Sequence, residues 1–279
     1  MFNHFLITRF NLKRSDWKTN KNNEEVLTDE WHKNRFNLFT NFCFPSVASQ
    51  TNKNFEWLVF FDSSTTKVYR DLIKTLEVKL PNFKPFFIDG MDQFLPSLKS
   101  YISKFNEDFI ITSGLDNDDC ISKNYIKEVQ ANFNKQDFLA LDFVDGYTLQ
   151  ISPNGKLGKK LHQYNPFISL IEKNTNAQTV CNVSHRLWKK EKRILQIKNK
   201  RVWSSVIHQE NKVNEFTGFG NVNETDFFEN FIISDEKRSF LQKNIIPQKK
   251  WIISSTINNC SSHWNIIFKN FKKQLGLYN

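Results

Sequence analysis

The chain predicts an α/β fold: a mostly parallel central sheet with helices on both faces, followed by a helical C-terminal extension. Three observations carry this expectation. Strand-like and helix-like segments alternate regularly through the first half. The run Phe55 to Phe61, FEWLVFF, is short and nearly all apolar, as a strand buried on both faces must be. The length of 279 residues allows one large core to form without disulfides or metal.

Each element follows from its own pattern. His4 to Phe10 reads as the first strand. In Asp29 to Gln50 the residues Trp31, Phe36, Leu38, Phe39 and Phe42 recur near helical spacing, and Thr28 is placed to cap a first turn that holds Asp29 and Glu30. Thr66 to Leu80 reads as a helix and Lys84 to Ile88 as a strand. Gln93 to Phe105 is helical, with Pro96 in its first turn. Phe109 to Thr112 is a strand, Ser122 to Phe133 a helix capped by Ser122, and Phe138 to Phe143 a further strand. Beyond about residue 150 the alternation loosens: Pro153-Asn154-Gly155 is a turn, and Lys189 to Arg201 is a basic stretch expected to be a solvated loop. The GFGNVN segment leads into two short helical pieces. In the last piece Trp264, Ile267, Phe268, Phe271 and Leu275 share one helical face, with Lys269, Lys272 and Lys273 largely off it, and that face is expected to pack on the core.

The 39 basic and 29 acidic side chains leave a formal charge of +10, which favours anionic partners without choosing among them. The four cysteines, Cys43, Cys120, Cys181 and Cys260, lie far apart with no CxxC spacing, which suggests free thiols in a reducing compartment. No stretch approaches the roughly 18 uninterrupted apolar residues of a spanning helix. The expected location is therefore cytoplasmic, with a peripheral contact at the inner membrane face open to so basic a chain.

Against that positive balance stands LDNDD, Leu115 to Asp119, directly after the strand at Phe109 to Thr112. In an open parallel sheet ligands bind beyond the carboxyl ends of the strands. Adjacent carboxylates repel unless a cation or a donor array offsets them, and oxygen ligands suit Mg²⁺ or Mn²⁺. The acids would then hold a metal, and the metal a diphosphate. The competing reading is a helix cap or turn, which Asp and Asn also favour.

Further motifs accompany the acids. SVASQTNKNFEWLVFFDSST, Ser46 to Thr65, together with LDNDD resembles paired segments of family 2-type glycosyltransferases with the Rossmann-like GT-A fold. With HFLITRFNL, LDNDDCISKNYI and VWSSVIHQENKVN added, the chain resembles the rhamnosyltransferase family over about residues 3 to 215. The resemblance implies a glycosyltransferase domain over 1–215, with its nucleotide-binding half at about 1–120 and its acceptor half at about 121–215. A helical extension over 216–279 completes the chain. The resemblance also implies a nucleoside-diphosphate sugar as donor, Mn²⁺ or Mg²⁺ as cofactor, a glycan or lipid-linked acceptor, and a place in polysaccharide biosynthesis. Residue by residue, Asp62 would contact the base or ribose and Asp116 the ribose or the metal shell. Asp118 would ligate the metal, with Asp119 as the alternative, and His208 would supply a late imidazole ligand, with His185 as runner-up. Arg9, ending the first strand, could reach the base or diphosphate. Asp145 and Glu172 are the candidates for the catalytic base. No QxxRW motif appears, which argues against a processive synthase. Two rival classes share some features. A basic nucleic-acid-binding protein fits the charge but not the acidic cluster. A nucleotidyl or phosphoryl transferase fits the acids, but the 8 glycines form no phosphate-cradling loop.

Overall fold

A computed structural model describes all residues except 15–18, 20–24, 212–214 and 279. The end of the VIHQENKVN motif, Lys212 to Asn214, therefore lies outside the described residues. A seven-stranded sheet forms the centre, in the order β10 (Ile194–Ile197), β6 (Phe138–Phe143), β9 (Ser169–Lys173), β4 (Phe109–Gly114), β1 (Phe2–Arg9), β2 (Glu56–Asp62) and β3 (Phe83–Ile88). All neighbours run parallel except β9, which is antiparallel to both β4 and β6. The expected mostly parallel sheet is therefore present, with one reversed strand in it.

Period-2 alternation decides which side chains go to which layer. Leu6, Trp57, Val59, Phe61 and Ile111 point to one face and share a core with Phe36, Phe39, Val47, Ile73, Leu76 and Tyr125. These last residues come from α1 (Asp29–Leu38), α2 (Phe44–Ala48), α3 (Lys67–Lys79), α5 (Tyr125–Gln130) and the π-helical turn Phe39–Cys43 that joins α1 to α2. Phe5, Ile7, Leu58, Phe60 and Ile110 point to the other face, against Phe94, Leu98 and Ile102 of α4 (Phe94–Ile102). Helices thus cover both faces, as the doubly apolar strands require.

Local chemistry sets the helix starts. Thr28 caps α1, its hydroxyl accepting from Trp31 N at 3.2 Å, and Pro96 sits in the first turn of α4, where its missing N–H costs nothing. Ser122 does not cap α5. Its carbonyl instead accepts from Tyr125 N in a turn, and the helix begins later, after Asn124.

A second sheet of four strands, β5 (Cys120–Ile121), β11 (Trp203–Ile207), β7 (Asp145–Gln150) and β8 (Lys156–Leu161), grows from the end of the acidic loop. Gly146 lies under the indole of Trp203, where an added Cβ would come within 2.3 Å of the ring, so only glycine lets the two strands meet there. Helices α6 (Glu224–Asn230) and α7 (Asp235–Asn244) pack Phe227, Phe228 and Leu241 against this sheet. The basic stretch 189–201 departs from the expected loop. It contains β10, an edge strand of the main sheet, and three of its basic side chains are in ion pairs: Arg193 with Glu191, Lys200 with Glu128 and Arg201 with Asp145. The four cysteines are free, with Cys43 and Cys120 buried.

The last helix, α8 (Ile252–Gln274), corrects the expectation for the C-terminal face. Its polar side meets the body through Ser255, which accepts from Gly220 N, and Asn258, which donates to Gly218 O. The apolar stripe is turned to solvent, with Trp264 69% exposed and Phe271 54%. Packing of this face on the core is excluded by geometry: the side of the helix that reaches the body is the one carrying the hydrogen-bonding groups.

Candidate active site

The carboxyl ends of β1 and β4 lie side by side, Ile7 opposite Gly114. Gly114 is held there by a close approach, because a Cβ would stand 2.7 Å from Pro166 O. The chain then enters Leu115–Asp119, tied back by Leu115 N to Ile7 O at 3.0 Å and by Asn117 Nδ2 to Phe10 O at 2.8 Å. The upstream residues Ser46, Gln50 and Thr51 clamp the chain just beyond this loop, at 121–126. Gln50 donates to Ser122 O and accepts from Ile126 N, Ser46 Oγ accepts from Ile121 N, and Thr51 N donates to Lys123 O. These three residues are a scaffold for the acidic loop.

The loop opens into a cavity of about 770 Å³ walled by the end of β1, by α1, by the segment after β8, by the 3-10 turn His185–Lys190 and by the end of the chain. Seven basic side chains line it (Arg9, Arg14, Arg35, Lys160, Arg186, Lys189 and Lys269) against three acids, Asp116, Asp118 and Asp119. Such a balance suits a ligand with more negative charge than one carboxylate, and the volume suits a small molecule.

Asp118 and Asp119 are buried, Asp116 beside them is half-buried, and the three differ in what surrounds them. Burial works against the Asp118 carboxylate, but Arg35 and then His208 outweigh it and hold the group well below the usual range. Arg35 Nη1 lies 2.5 Å from Asp118 Oδ2, and His208 Nε2 lies 3.0 Å from the same oxygen. Asp119 is pushed well up by burial and by Asp118 and Asp116, with Val206 N–H and Lys160 offsetting only part of this. Asp116 is raised by burial and Asp118, against the pull of Arg9 and Arg35.

This donor set fits a divalent ion. Carboxylate oxygen and imidazole nitrogen suit Mn²⁺ or Mg²⁺, and Asp118 and His208 already converge. Among the described residues no group of three or more His, Cys, Asp or Glu side chains is placed to hold a metal ion by itself. An ion here would take its remaining ligands from water and substrate phosphates, which is the usual manner of Mg²⁺.

The family model described as "Putative rhamnosyl transferase" matches residues 2–218. The chain belongs to this family. No curated protein matches the chain at a significant level. Among solved structures, S. aureus TarS 1-349 in complex with UDP is 15% identical over 74% of this chain and 60% of that one, with a TM-score of 0.43. Mannosyltransferase PcManGT from Pyrobaculum calidifontis in complex with GDP-Man and Mn²⁺ is 7% identical over 75% and 58%, with a TM-score of 0.44. This chain thus spans about three fifths of the length of each. The family match, not these likenesses, makes the assignment.

In this family member the cavity gathers Arg9, Asp116, Asp118, Asp119 and His185, with His208 directly behind Asp118. It does not gather Asp62, Asp145 or Glu172. Asp62 lies at the end of β2, where its carboxylate accepts from Ser64 N, Ser64 Oγ and Lys13 N. Asp145 is bound to Arg201 at 3.0 Å and accepts from Asn199 N. Glu172 accepts from Gln178 N and Thr179 N. Neither Asp145 nor Glu172, the two candidates for the base, lines the cavity, and each carboxylate accepts from the chain's own donors.

Sequence reasoning missed three groups. Arg35 was readable: it shares a helical stripe with Trp31, Leu38 and Phe42, and a cation inside an apolar stripe calls for a buried partner. Lys160, which donates to Ser205 Oγ at 3.0 Å, and His162 carried no signal, because only the fold brings β8 to the acids. His162 and His185 are held neutral at neutral pH: burial, aided by neighbouring cations, lowers them to about 3 and about 4.

Proposed function

We propose that this family member is a metal-dependent glycosyltransferase that moves rhamnose from a nucleoside-diphosphate donor to a hydroxyl of a glycan or lipid-linked acceptor in polysaccharide biosynthesis. The observation that carries the reading is the meeting of Arg35, His208 and Asp118 at one carboxylate oxygen, at the mouth of a cavity rich in cations. Asp118 and His208 would hold the ion, with Asp116 and Asp119 beside them. Bound there, it supplies charge neutralisation of the departing diphosphate.

The protein's own residues do the rest. Arg9, Arg186 and Lys189 line the cavity where the diphosphate oxygens would lie, and fixed cations there need no reorganisation as charge develops. Arg35 is placed to exchange its aspartate partner for a phosphate. In the reaction the bond from the sugar's anomeric carbon to the diphosphate oxygen breaks, and its electron pair leaves with the diphosphate. A new bond forms from the acceptor oxygen, whose proton passes to an oxygen of the departing diphosphate or to solvent. Holding donor and acceptor in one walled space is itself a large part of the acceleration. Neither the nucleic-acid reading nor the nucleotidyl-transfer reading gains an observation of its own.

The test is thermal denaturation with UDP-, GDP- and dTDP-sugars, each with and without Mn²⁺. One nucleotide sugar is expected to raise the midpoint only when metal is present, and Asp118→Asn to lose most of that rise. Equal stabilisation without metal overturns the metal dependence, and no stabilisation by any nucleotide overturns the donor class.

A further inference from the structure

Helix α8 presents an unusual arrangement. Along its outer side Ile253, Ile257, Trp264, Phe268, Phe271 and Leu275 recur at steps of three, four and seven, and each is between 48% and 76% exposed. Its opposite side is polar and is the side that docks. Besides the bonds of Ser255 and Asn258, Asn270 accepts from Gln163 Nε2 at 2.8 Å and Lys273 donates to Glu191 O at 2.9 Å. A helix held to its own domain by polar groups, with its large apolar residues facing out, has its hydrophobic face free for something else.

Charge indicates what that is. From Gln248 to Asn279 the chain contains five lysines and no aspartate or glutamate. Lys249 and Lys250 are exposed in the turn that leads into α8, and Lys272 lies over the Phe268 ring at 4.3 Å. Apolar aromatic side chains flanked by lysines, on a segment with no acid of its own, match the two layers of a lipid interface: acyl chains below and anionic headgroups above. No helix among the described residues is long and apolar enough to cross a membrane, so the fit is to lying on the surface.

We propose that α8 docks the protein on an anionic bilayer, with the stripe from Ile253 to Leu275 at the level of the headgroups and upper acyl chains. This goes beyond the transferase reading and stands independently of it. It has a geometric consequence for the cavity. Lys269 on the inner side of α8 and Tyr278 just after it both line the cavity, so a docked helix holds that wall next to the membrane.

The experiment is co-sedimentation of the full chain with phosphatidylcholine vesicles, with and without phosphatidylglycerol. The wild type is expected to pellet with the anionic vesicles several-fold more than with the neutral ones. Trp264→Glu/Phe268→Glu/Phe271→Glu should stay in the supernatant with an unchanged circular dichroism spectrum, and Lys249→Glu/Lys250→Glu/Lys272→Glu should fall to the neutral-vesicle level. As a measurement that does not depend on those variants, anionic vesicles should shift the wild-type tryptophan emission to the blue, and Trp264→Phe should pellet but lose the shift. Wild type left in the supernatant with both vesicle types overturns the proposal. So does a wild-type dimer in light scattering that the Trp264/Phe268/Phe271 variant returns to monomer, because the face then belongs to a second copy.

Discussion

Arg35 is the residue on which the acidic loop depends. It is buried, it stacks over Trp31 at 5.1 Å, and it reaches both Asn117 Oδ1 and Asp118 Oδ2. Removing one partner of a buried ion pair strands the other, at a typical cost of about 3–5 kcal/mol. Arg35→Met should therefore lower unfolding free energy in urea by about that much, and a loss under about 1 kcal/mol would show the pair to be solvated. Asp145 and Glu172, outside the cavity, give the converse case. Asp145→Asn and Glu172→Gln keep shape and one of the two accepting oxygens, so kcat should stay within about tenfold of wild type, less than the roughly 100-fold typical of losing a general base. A larger loss of kcat with an intact fold would return the base to one of them. The acids of 116–119 were legible because they directly follow a buried strand. The fates of 145 and 172 were not, since Arg201 and the turn at 178–179 that occupy them are brought there by tertiary contacts.

At the level of elements, local pattern and tertiary context divide the outcome between them. Strands β1 to β4 and β6, and helices α1, α3 and α4, stand close to where apolar periodicity and capping residues put them, because each carries its own signal in consecutive residues. Short strands such as β5 and β10 exist only through their neighbours, and the charged stretch around β10 hid a strand whose partner, β6, lies some 50 residues earlier. Amphipathicity in α8 was visible. Which side would face inward was not, because periodicity reports that a face exists and says nothing of what lies opposite. The π-helical turn at 39–43 likewise left no mark in the apolar spacing, which runs through it without a break.

Across the whole molecule, stability should depend on acid through imidazoles buried in neutral form. His4 is the clearest: burial lowers it from 6.5 to about 3. Its Nδ1 faces Gln130 Nε2, a donor, so its Nε2 carries the proton toward Ser113 Oγ at 2.9 Å. Above pH 6.5 the group is neutral in both states and its full contribution is present. As pH falls from 6.5 toward 3, the unfolded chain binds a proton that the folded one refuses, and stability drops by about 1.4 kcal/mol per pH unit for each such group. Asp142, raised to about 6 mainly by burial, acts in the opposite sense and loses its contribution as pH rises through 6. In melting curves between pH 7 and 4, His4→Gln, which can keep both hydrogen bonds, should lose less stability than the wild type; an equal change would mean that His4 binds its proton as readily folded as unfolded. The reversed strand β9 matters at this scale too. Because Ser169 begins it opposite Ser113, the residues leading into it arrive at the same rim as the acidic loop, where a strand of the common direction would have sent them to the far rim. Asn165 bolts that incoming segment to Asp142 and to Phe143 O, so the anchoring to the sheet and the shaping of one side of the pocket, by Gln163, Tyr164, Pro166 and Phe167, fall to different residues.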